Sequence, residues 1–284
     1  MRIKESFGVA KSVWSMTFKM VRKRPCIILP FFVTAVFNAV ALTILFYSPR
    51  YPLSKIFAPL IKAFSNLRYL HYPANFLLLP KMFYYMQIGI MLTVGVLMFG
   101  MAVNLIFQVS AGEKPRIAGS LNKSVRRYFT LAGVWIVTFI ISFAVMRGSM
   151  WLVVKTFSDS DLFPILIRVV RYSGYLFVLI IEAFLVFSYP AAIIEKRKLF
   201  SAIKRSLFAS KRVFLTMFIL IAAPRFFEVL LILSRVRLMS YAFRNFPEAA
   251  LIVLGLGIAV AFVADFLVMT SITNLFILTK ETEA

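Results

Sequence analysis

Residues 249–278 read AALIVLGLGIAVAFVADFLVMTSITNLFIL, an apolar stretch in which Asp265 is the only charged side chain. The hydrocarbon core of a bilayer is about 30 Å thick, and a helix needs about 20 apolar residues to cross it. A segment in lipid must also satisfy its backbone hydrogen bonds, which a helix does within itself. The stretch therefore predicts a membrane-spanning helix.

Five further stretches have the same character. They cover roughly residues 27–47, 84–109, 130–151, 172–194 and 213–234. They lack the strict alternation that is typical of strands in a membrane β-barrel. We therefore predict an all-α polytopic membrane protein with six transmembrane helices in a single membrane domain, residues 1–284. Basic amphipathic helices are expected at the membrane interface, the first of them residues 1–26 on the cytoplasmic side.

The composition of the chain excludes several classes of protein. Of its 284 residues, 61% are hydrophobic and 15% are charged, and the mean hydropathy is +0.88. Soluble domains carry about 45–50% apolar residues, so a soluble enzyme, a secreted disulfide scaffold and a disordered tail are excluded. A single cysteine, Cys26, excludes an internal disulfide, and a single histidine, His71, excludes a multi-histidine metal site. We expect no cofactor and no metal.

The charge balance predicts partners and orientation. Thirty-three basic residues against 11 acidic ones give a formal net charge of +22. The basic residues lie between the apolar stretches rather than in one basic domain, which favours anionic lipid headgroups over nucleic acid as the partner. Twenty of them lie on the side of the two termini. Since basic residues are retained on the cytoplasmic side, both termini are predicted to be cytoplasmic.

A similar four-residue string precedes the first, third and fifth predicted spans, within segments of helical periodicity. The three strings are Ala10-Lys11-Ser12-Val13, Asn122-Lys123-Ser124-Val125 and Lys204-Arg205-Ser206-Leu207. They indicate three units, each a basic interfacial helix followed by a two-span hairpin, with Lys11, Lys123, Lys204 and Arg205 on anionic headgroups. The alternative is that they are three ordinary basic flanks of membrane spans.

Two sequence features carry a resemblance over the whole chain. One is the leader that contains Trp14 and ends in Lys23-Arg24-Pro25, and the other is the string YPAAIIE at residues 189–195, which leads into AIKRS at residues 202–206. With them the chain resembles a group of six-helix bacterial membrane proteins that includes the membrane domain of some glycerophosphodiester phosphodiesterases. The resemblance implies six spans and a bacterial inner membrane. It implies no catalytic residues, because the phosphodiesterase chemistry lies in a separate domain.

Four ionisable residues fall near the middle of predicted spans: Glu182, Arg225, Glu228 and Asp265. A charge there costs roughly 2.5–3.5 kcal/mol on insertion scales, so each should face protein or water. Arg225 is the only base at that depth. We therefore expect one carboxylate to pair with it, and the other two to be protonated, hydrated or paired elsewhere.

Two hypotheses account for these residues. With Asn104 of the second span they form a polar intramembrane site for a proton, an ion or a lipid headgroup. Alternatively, Glu182, Arg225 and Asp265 form a latch that fixes helix packing.

The sequence favours a non-enzymatic function. It contains no Walker-type glycine loop, no Gly-Xaa-Ser-Xaa-Gly elbow and no zinc-binding helix. The predicted function is a component of lipid or amphiphile transport in the cell envelope. The alternative is a scaffold or assembly subunit that binds a membrane protein complex and transports nothing. An ion channel is a weaker third hypothesis, because repeated filter motifs are missing.

Overall fold

The computed structural model describes residues 3–64, 71–72, 74–158, 160–246 and 248–281. Within these ranges the regular structure is helical, and six helices are long and apolar enough to cross a membrane. They are Pro25–Tyr47, Asn75–Ser110, Tyr128–Phe157, Phe163–Ile193, Leu199–Ser234 and Ala249–Glu281, here called spans 1 to 6. The prediction of an all-α polytopic membrane protein is confirmed.

The individual helices follow in chain order. They are α1 (Ile3–Lys23), α2 (Leu29–Tyr47), α3 (Ser54–Phe64), α4 (Asn75–Ile90), α5 (Val96–Ser110), α6 (Ile117–Arg126), α7 (Tyr128–Phe157), α8 (Phe163–Leu185), α9 (Ser188–Ile193), α10 (Leu199–Asn245) and α11 (Ala249–Glu281). A short 3₁₀ segment, Pro25–Ile28, precedes α2, and a π-helical segment, Met91–Gly95, joins α4 to α5. Spans 2 and 4 are therefore each built from two helices.

The predicted intervals lie within these spans with small differences. Span 2 begins at Asn75 rather than at residue 84, because its helix continues past the apolar stretch. Span 4 ends at Ile193, one residue before the predicted limit. The predicted leader, residues 1–26, contains α1, and its first two residues lie outside the described ranges.

Helix α1 is amphipathic, but its inner face packs on protein. Ala10, Val13 and Thr17 are at most 1% exposed, and the helix contacts α10 and α11. Phe7 and Phe18 remain more than half exposed. Interfacial helices are expected to place their apolar face in lipid. Here Ala10, Val13 and Thr17 face the protein core instead, and Phe7 and Phe18 face outward.

Three helical segments share a geometric feature: α1, α6 and the first part of α10. Each ends at a residue with non-helical backbone angles, namely Arg24, Arg127 and Val213. Arg24 and Arg127 directly precede spans 1 and 3, whereas Val213 lies within span 5. The residue seven positions before each of them is fully buried and carries a hydroxyl group; these residues are Thr17, Ser120 and Ser206. The backbone thus supports a repeat that the short strings only suggested.

The structural repeat has a different register from the strings. In α6 the hydroxyl of Ser124 donates to the carbonyl of Ser120 at 3.1 Å, and in α10 that of Ser210 donates to Ser206 at 2.6 Å. Ser124 therefore corresponds to Ser210, one helical turn beyond the serine in the third string. Ser12 of the first string is exposed, so the strings do not mark equivalent faces.

Each of these segments rests on an even-numbered span. Asn274 of span 6 donates to the hydroxyl of Thr17 at 3.1 Å, and Asn104 of span 2 donates to that of Ser120 at 2.7 Å. The hydroxyl of Ser206 donates to a carbonyl of span 4 at 2.7 Å. Span 6 thus supports the segment of the first unit, span 2 that of the second and span 4 that of the third. Since the last span supports the first segment, the arrangement is cyclic.

The main core lies where the even-numbered spans end. Residues 101–106, 185–193 and 268–277 are buried on all sides of their helices. Aromatic rings join these segments: the Phe187 and Phe276 centroids are 5.3 Å apart, and those of Phe99 and Tyr189 are 6.0 Å apart. This packing holds spans 2, 4 and 6 together and positions the charged residues nearer the membrane centre.

Candidate functional site

Arg225 contacts all three carboxylates that lie at its depth. Its Nη2 atom is 3.0 Å from Glu182 Oε1 and 2.9 Å from Asp265 Oδ1, and its Nη1 atom is 2.8 Å from Glu228 Oε2. The expectation that only one carboxylate would pair with Arg225 is therefore wrong. A planar guanidinium presents five N–H donors and can serve several acceptors at once.

Three helices contribute to this group, which we call the Arg225 cluster. Glu182 comes from α8, Arg225 and Glu228 lie one turn apart on α10, and Asp265 comes from α11. The four side chains are between 16% and 22% exposed. The cluster thus ties spans 4, 5 and 6 together in the geometry of the predicted latch. It also carries three carboxylates against one guanidinium, an excess of two negative charges when all are ionised.

A cleft of about 270 Å³ opens beside the cluster. Arg225, Glu228 and Asp265 line it, whereas Glu182 is not part of its wall. The opposite wall comes from spans 1, 2 and 3, and Phe262 adds to the aromatic part of the lining. The further lining residues used below are Phe31, Thr34, Asn38, Tyr84, Gln87, Met91, Phe99 and Trp135. The Arg225 cluster therefore joins three spans and also presents charged side chains to a cleft.

Asn38 is a site residue that the sequence reasoning missed. It lines the cleft on α2, is 8% exposed, and donates from Nδ2 to the carbonyl of Thr34 at 2.9 Å. Its Oδ1 atom is buried without a hydrogen-bond partner. The bond to a carbonyl fixes the orientation of the carboxamide, since only the NH₂ group can donate. The sequence feature that could have identified it is a carboxamide side chain in the middle of an apolar span.

The π-helical segment Met91–Gly95 borders the cleft, which Met91 lines. A π segment leaves backbone groups out of the regular α pattern and often occurs at functional sites. Here the hydroxyl of Tyr128 donates to the carbonyl of Leu92 at 3.1 Å. Span 3 is thereby attached to span 2 at the level of the cleft, and nothing in the apolar sequence predicted this.

Asn104 lies apart from the Arg225 cluster, contrary to the hypothesis that grouped it with the intramembrane charges. Its Nδ2 donates to Ser120, and its Oδ1 accepts from Lys123 Nζ at 3.1 Å. Gln108, one turn further along α5, also donates to Ser120 at 3.3 Å. These contacts dock α6 onto α5, and they give Lys123 a partner within the protein.

The other predicted headgroup residues differ in their surroundings. Lys11 and Lys204 are exposed. Arg205 is partly buried, and its Nε atom is 3.4 Å from Glu195 Oε1. Lys11 also lines a groove of about 660 Å³ between α1 and the end of α5, together with Lys19 and Lys23. The basic surface predicted from the string is therefore clearest along α1.

The described residues contain no group of three or more histidine, cysteine, aspartate or glutamate side chains that could hold a metal ion. No protein family, curated protein or solved structure matches the chain.

Proposed function

We propose that this protein is a non-enzymatic component of lipid or amphiphile transport in the cell envelope, and that its ligand binds in the cleft beside the Arg225 cluster. The observation that carries the proposal is a mostly apolar cleft, at the middle of the spans, with Arg225, Glu228 and Asp265 in its wall. Ligand sites are typically apolar concavities with a few convergent polar groups. Ionisable residues at membrane depth typically mark substrate pathways.

A second cavity suits the apolar part of such a ligand. A groove of about 550 Å³ lies on the other side of the α10–α11 pair, at the same level of these helices. Its walls include Trp14, Phe18, Pro224, Phe227 and Val263, which offer an apolar surface for an acyl chain. Pro224 directly precedes Arg225, so a polar and an apolar binding surface occur side by side.

The proposed setting is a bacterial inner membrane with both termini in the cytoplasm. The excess of basic residues around α1, α6 and the start of α10 supports this orientation. Lys11 and Lys204, both exposed, would then contact the anionic headgroups of the cytoplasmic leaflet.

The alternative function is a scaffold or assembly subunit of a membrane protein complex, without transport. One observation favours it: each carboxylate of the cluster contacts Arg225, as a purely structural latch requires. In that case the cluster serves only to join spans 4, 5 and 6.

Extraction into native nanodiscs, followed by mass spectrometry of the co-purifying lipids and proteins, tests the two functions. A lipid enriched over the bulk membrane, without a stoichiometric protein, is the expected result. A stoichiometric protein partner with bulk lipid composition would contradict it and favour the scaffold. Transport assays of Glu182→Gln and Asp265→Asn then address the latch, since lost transport in a folded variant requires more than packing.

A further inference from the structure

We propose that the cleft recognises the protonated primary amine of an aminolipid headgroup. This rests on the proposed lipid-binding function and names the class of ligand. The first argument is charge. Arg225 offsets one of the three carboxylates in the cluster, and among the described residues that line the cleft it is the one basic side chain. A cationic ligand would offset the remaining negative charge, whereas an anionic headgroup would add to it.

The second argument is the set of hydrogen-bond acceptors. The closest contacts of Arg225 to these carboxylates use Glu228 Oε2 and Asp265 Oδ1, and each carboxylate has a second oxygen that is also a hydrogen-bond acceptor. Asn38 adds a buried Oδ1 that has no partner. A primary ammonium group has three N–H donors, which matches these three acceptors.

The third argument is the remainder of the wall. Aromatic rings attract cations over their faces. In the described part of the chain, the aromatic residues that line the cleft are Phe31, Tyr84, Phe99, Trp135 and Phe262, and Arg225 is the one basic residue in that lining. Tyr84, which is 47% exposed, and Gln87 supply N–H and O–H donors for the phosphate. A metal ion is not favoured as the ligand, because the described residues contain no group of three or more histidine, cysteine, aspartate or glutamate side chains that could hold one.

Retention of lipids by the full-length protein tests this proposal. The protein is reconstituted in nanodiscs that contain equal amounts of phosphatidylethanolamine, phosphatidylcholine and phosphatidylglycerol with identical acyl chains. Bound lipids are then counted by native mass spectrometry after transfer to detergent. We expect phosphatidylethanolamine to exceed phosphatidylcholine about tenfold or more, because the quaternary amine lacks N–H donors for the charge-assisted bonds.

Variants connect the preference to the site. Asn38→Leu and Glu228→Gln should each reduce the retention of phosphatidylethanolamine to the level of phosphatidylcholine. Among the described residues, neither change removes a hydrogen bond or ion pair between spans, since Asn38 bonds within its own helix and Glu228 lies on the same helix as Arg225. Thr43→Val is the matched control on α2, because Thr43 is exposed and bonds only to its own helix. This control should behave as the wild type.

The outcomes separate the ligand class from the function. Equal retention of phosphatidylethanolamine and phosphatidylcholine would overturn the ammonium proposal, as would unchanged selectivity in both cleft variants. Preferential retention of phosphatidylglycerol, if it is lost in Asn38→Leu, would also overturn the ammonium proposal but would leave the lipid-binding function in place. If no lipid is retained above its proportion in the nanodisc, the result would contradict both the ammonium proposal and the lipid-binding function. Displacement of the retained phosphatidylethanolamine by millimolar free ethanolamine would support recognition of the amine.

Discussion

At the scale of single residues, Arg225 has contacts that no other described side chain at its depth can replace. It is bonded to Glu182, Glu228 and Asp265 at 2.8–3.0 Å. Removal of one partner from a buried ion pair leaves an uncompensated charge, and the loss is much larger than the net value of the pair. The stability of the protein should therefore depend on Arg225 more than on any one carboxylate.

Arg225→Gln should lower the free energy of unfolding by about 3–5 kcal/mol, because three carboxylates would lose their counter-charge. Asp265→Asn should cost less, since Arg225 keeps two charged partners. Thermal unfolding in detergent, followed by tryptophan fluorescence, measures the difference between the midpoints. Equal midpoints for the two variants would contradict the greater dependence of stability on Arg225.

At the scale of helices, close packing depends on small residues at particular positions. A Cβ atom added to Gly100 of α5 would lie 2.6 Å from Leu131 Cδ1 and 2.9 Å from Ser124 Oγ. Gly100 therefore permits the contact between span 2, α6 and span 3. Gly89, in the α4 part of the same span, has no atom within 4 Å of the added Cβ position.

This contrast provides a matched pair of variants. Gly100→Ala should destabilise the protein by about 1–3 kcal/mol through overpacking. Gly89→Ala should be neutral or stabilise it by up to about 1 kcal/mol, since alanine restricts the unfolded chain more than glycine. Melting midpoints under identical conditions compare them, and a larger loss in the Gly89 variant would contradict the described packing.

Helix α1 provides a second test at this scale. Val13 is fully buried, whereas its neighbour Ser12 is exposed. Val13→Asp should bury an unpaired charge and cost about 4 kcal/mol or more, with loss of folded protein. Ser12→Asp should have little effect. Yield and size-exclusion profile in detergent measure both variants. If they behave alike, α1 does not pack against α10 and α11 through this face.

At the scale of the whole molecule, the three units form a cycle in which each connecting helix rests on an even-numbered span. Hydrogen bonds from span 6 to Thr17 and from span 2 to Ser120 contribute to this arrangement. The bond that involves Asn274 connects residues 257 positions apart. The last span is therefore part of the same packing unit as the first helix.

The orientation of the molecule in the membrane is a prediction at this scale. In a Cys26→Ser background, single cysteines are introduced at exposed positions on the two sides. Cysteines at Tyr51, Leu162 and Phe246 should react with a membrane-impermeant maleimide on intact cells, whereas those at Ser12, Glu113 and Lys196 should react only after permeabilisation. The opposite pattern would reverse the proposed topology.

The six spans could be predicted from the sequence because spanning is a local property. A window of about 20 residues contains both the hydropathy and the backbone hydrogen bonds that lipid demands. The same argument located Glu182, Arg225 and Asp265, since a charge within an apolar window is visible without knowledge of its neighbours. Their mutual contacts were only one of several pairings that the sequence allowed.

Only the tertiary structure decided which helix faces meet. In a membrane, residues that face lipid and residues that face protein are both apolar, so periodicity alone does not separate them. For this reason the buried face of α1, the partners of Asn104 and the position of Asn38 in the cleft were not evident in the sequence. Each depends on packing between distant segments, and small residues such as Gly100 and Ser120 determine how closely those segments approach.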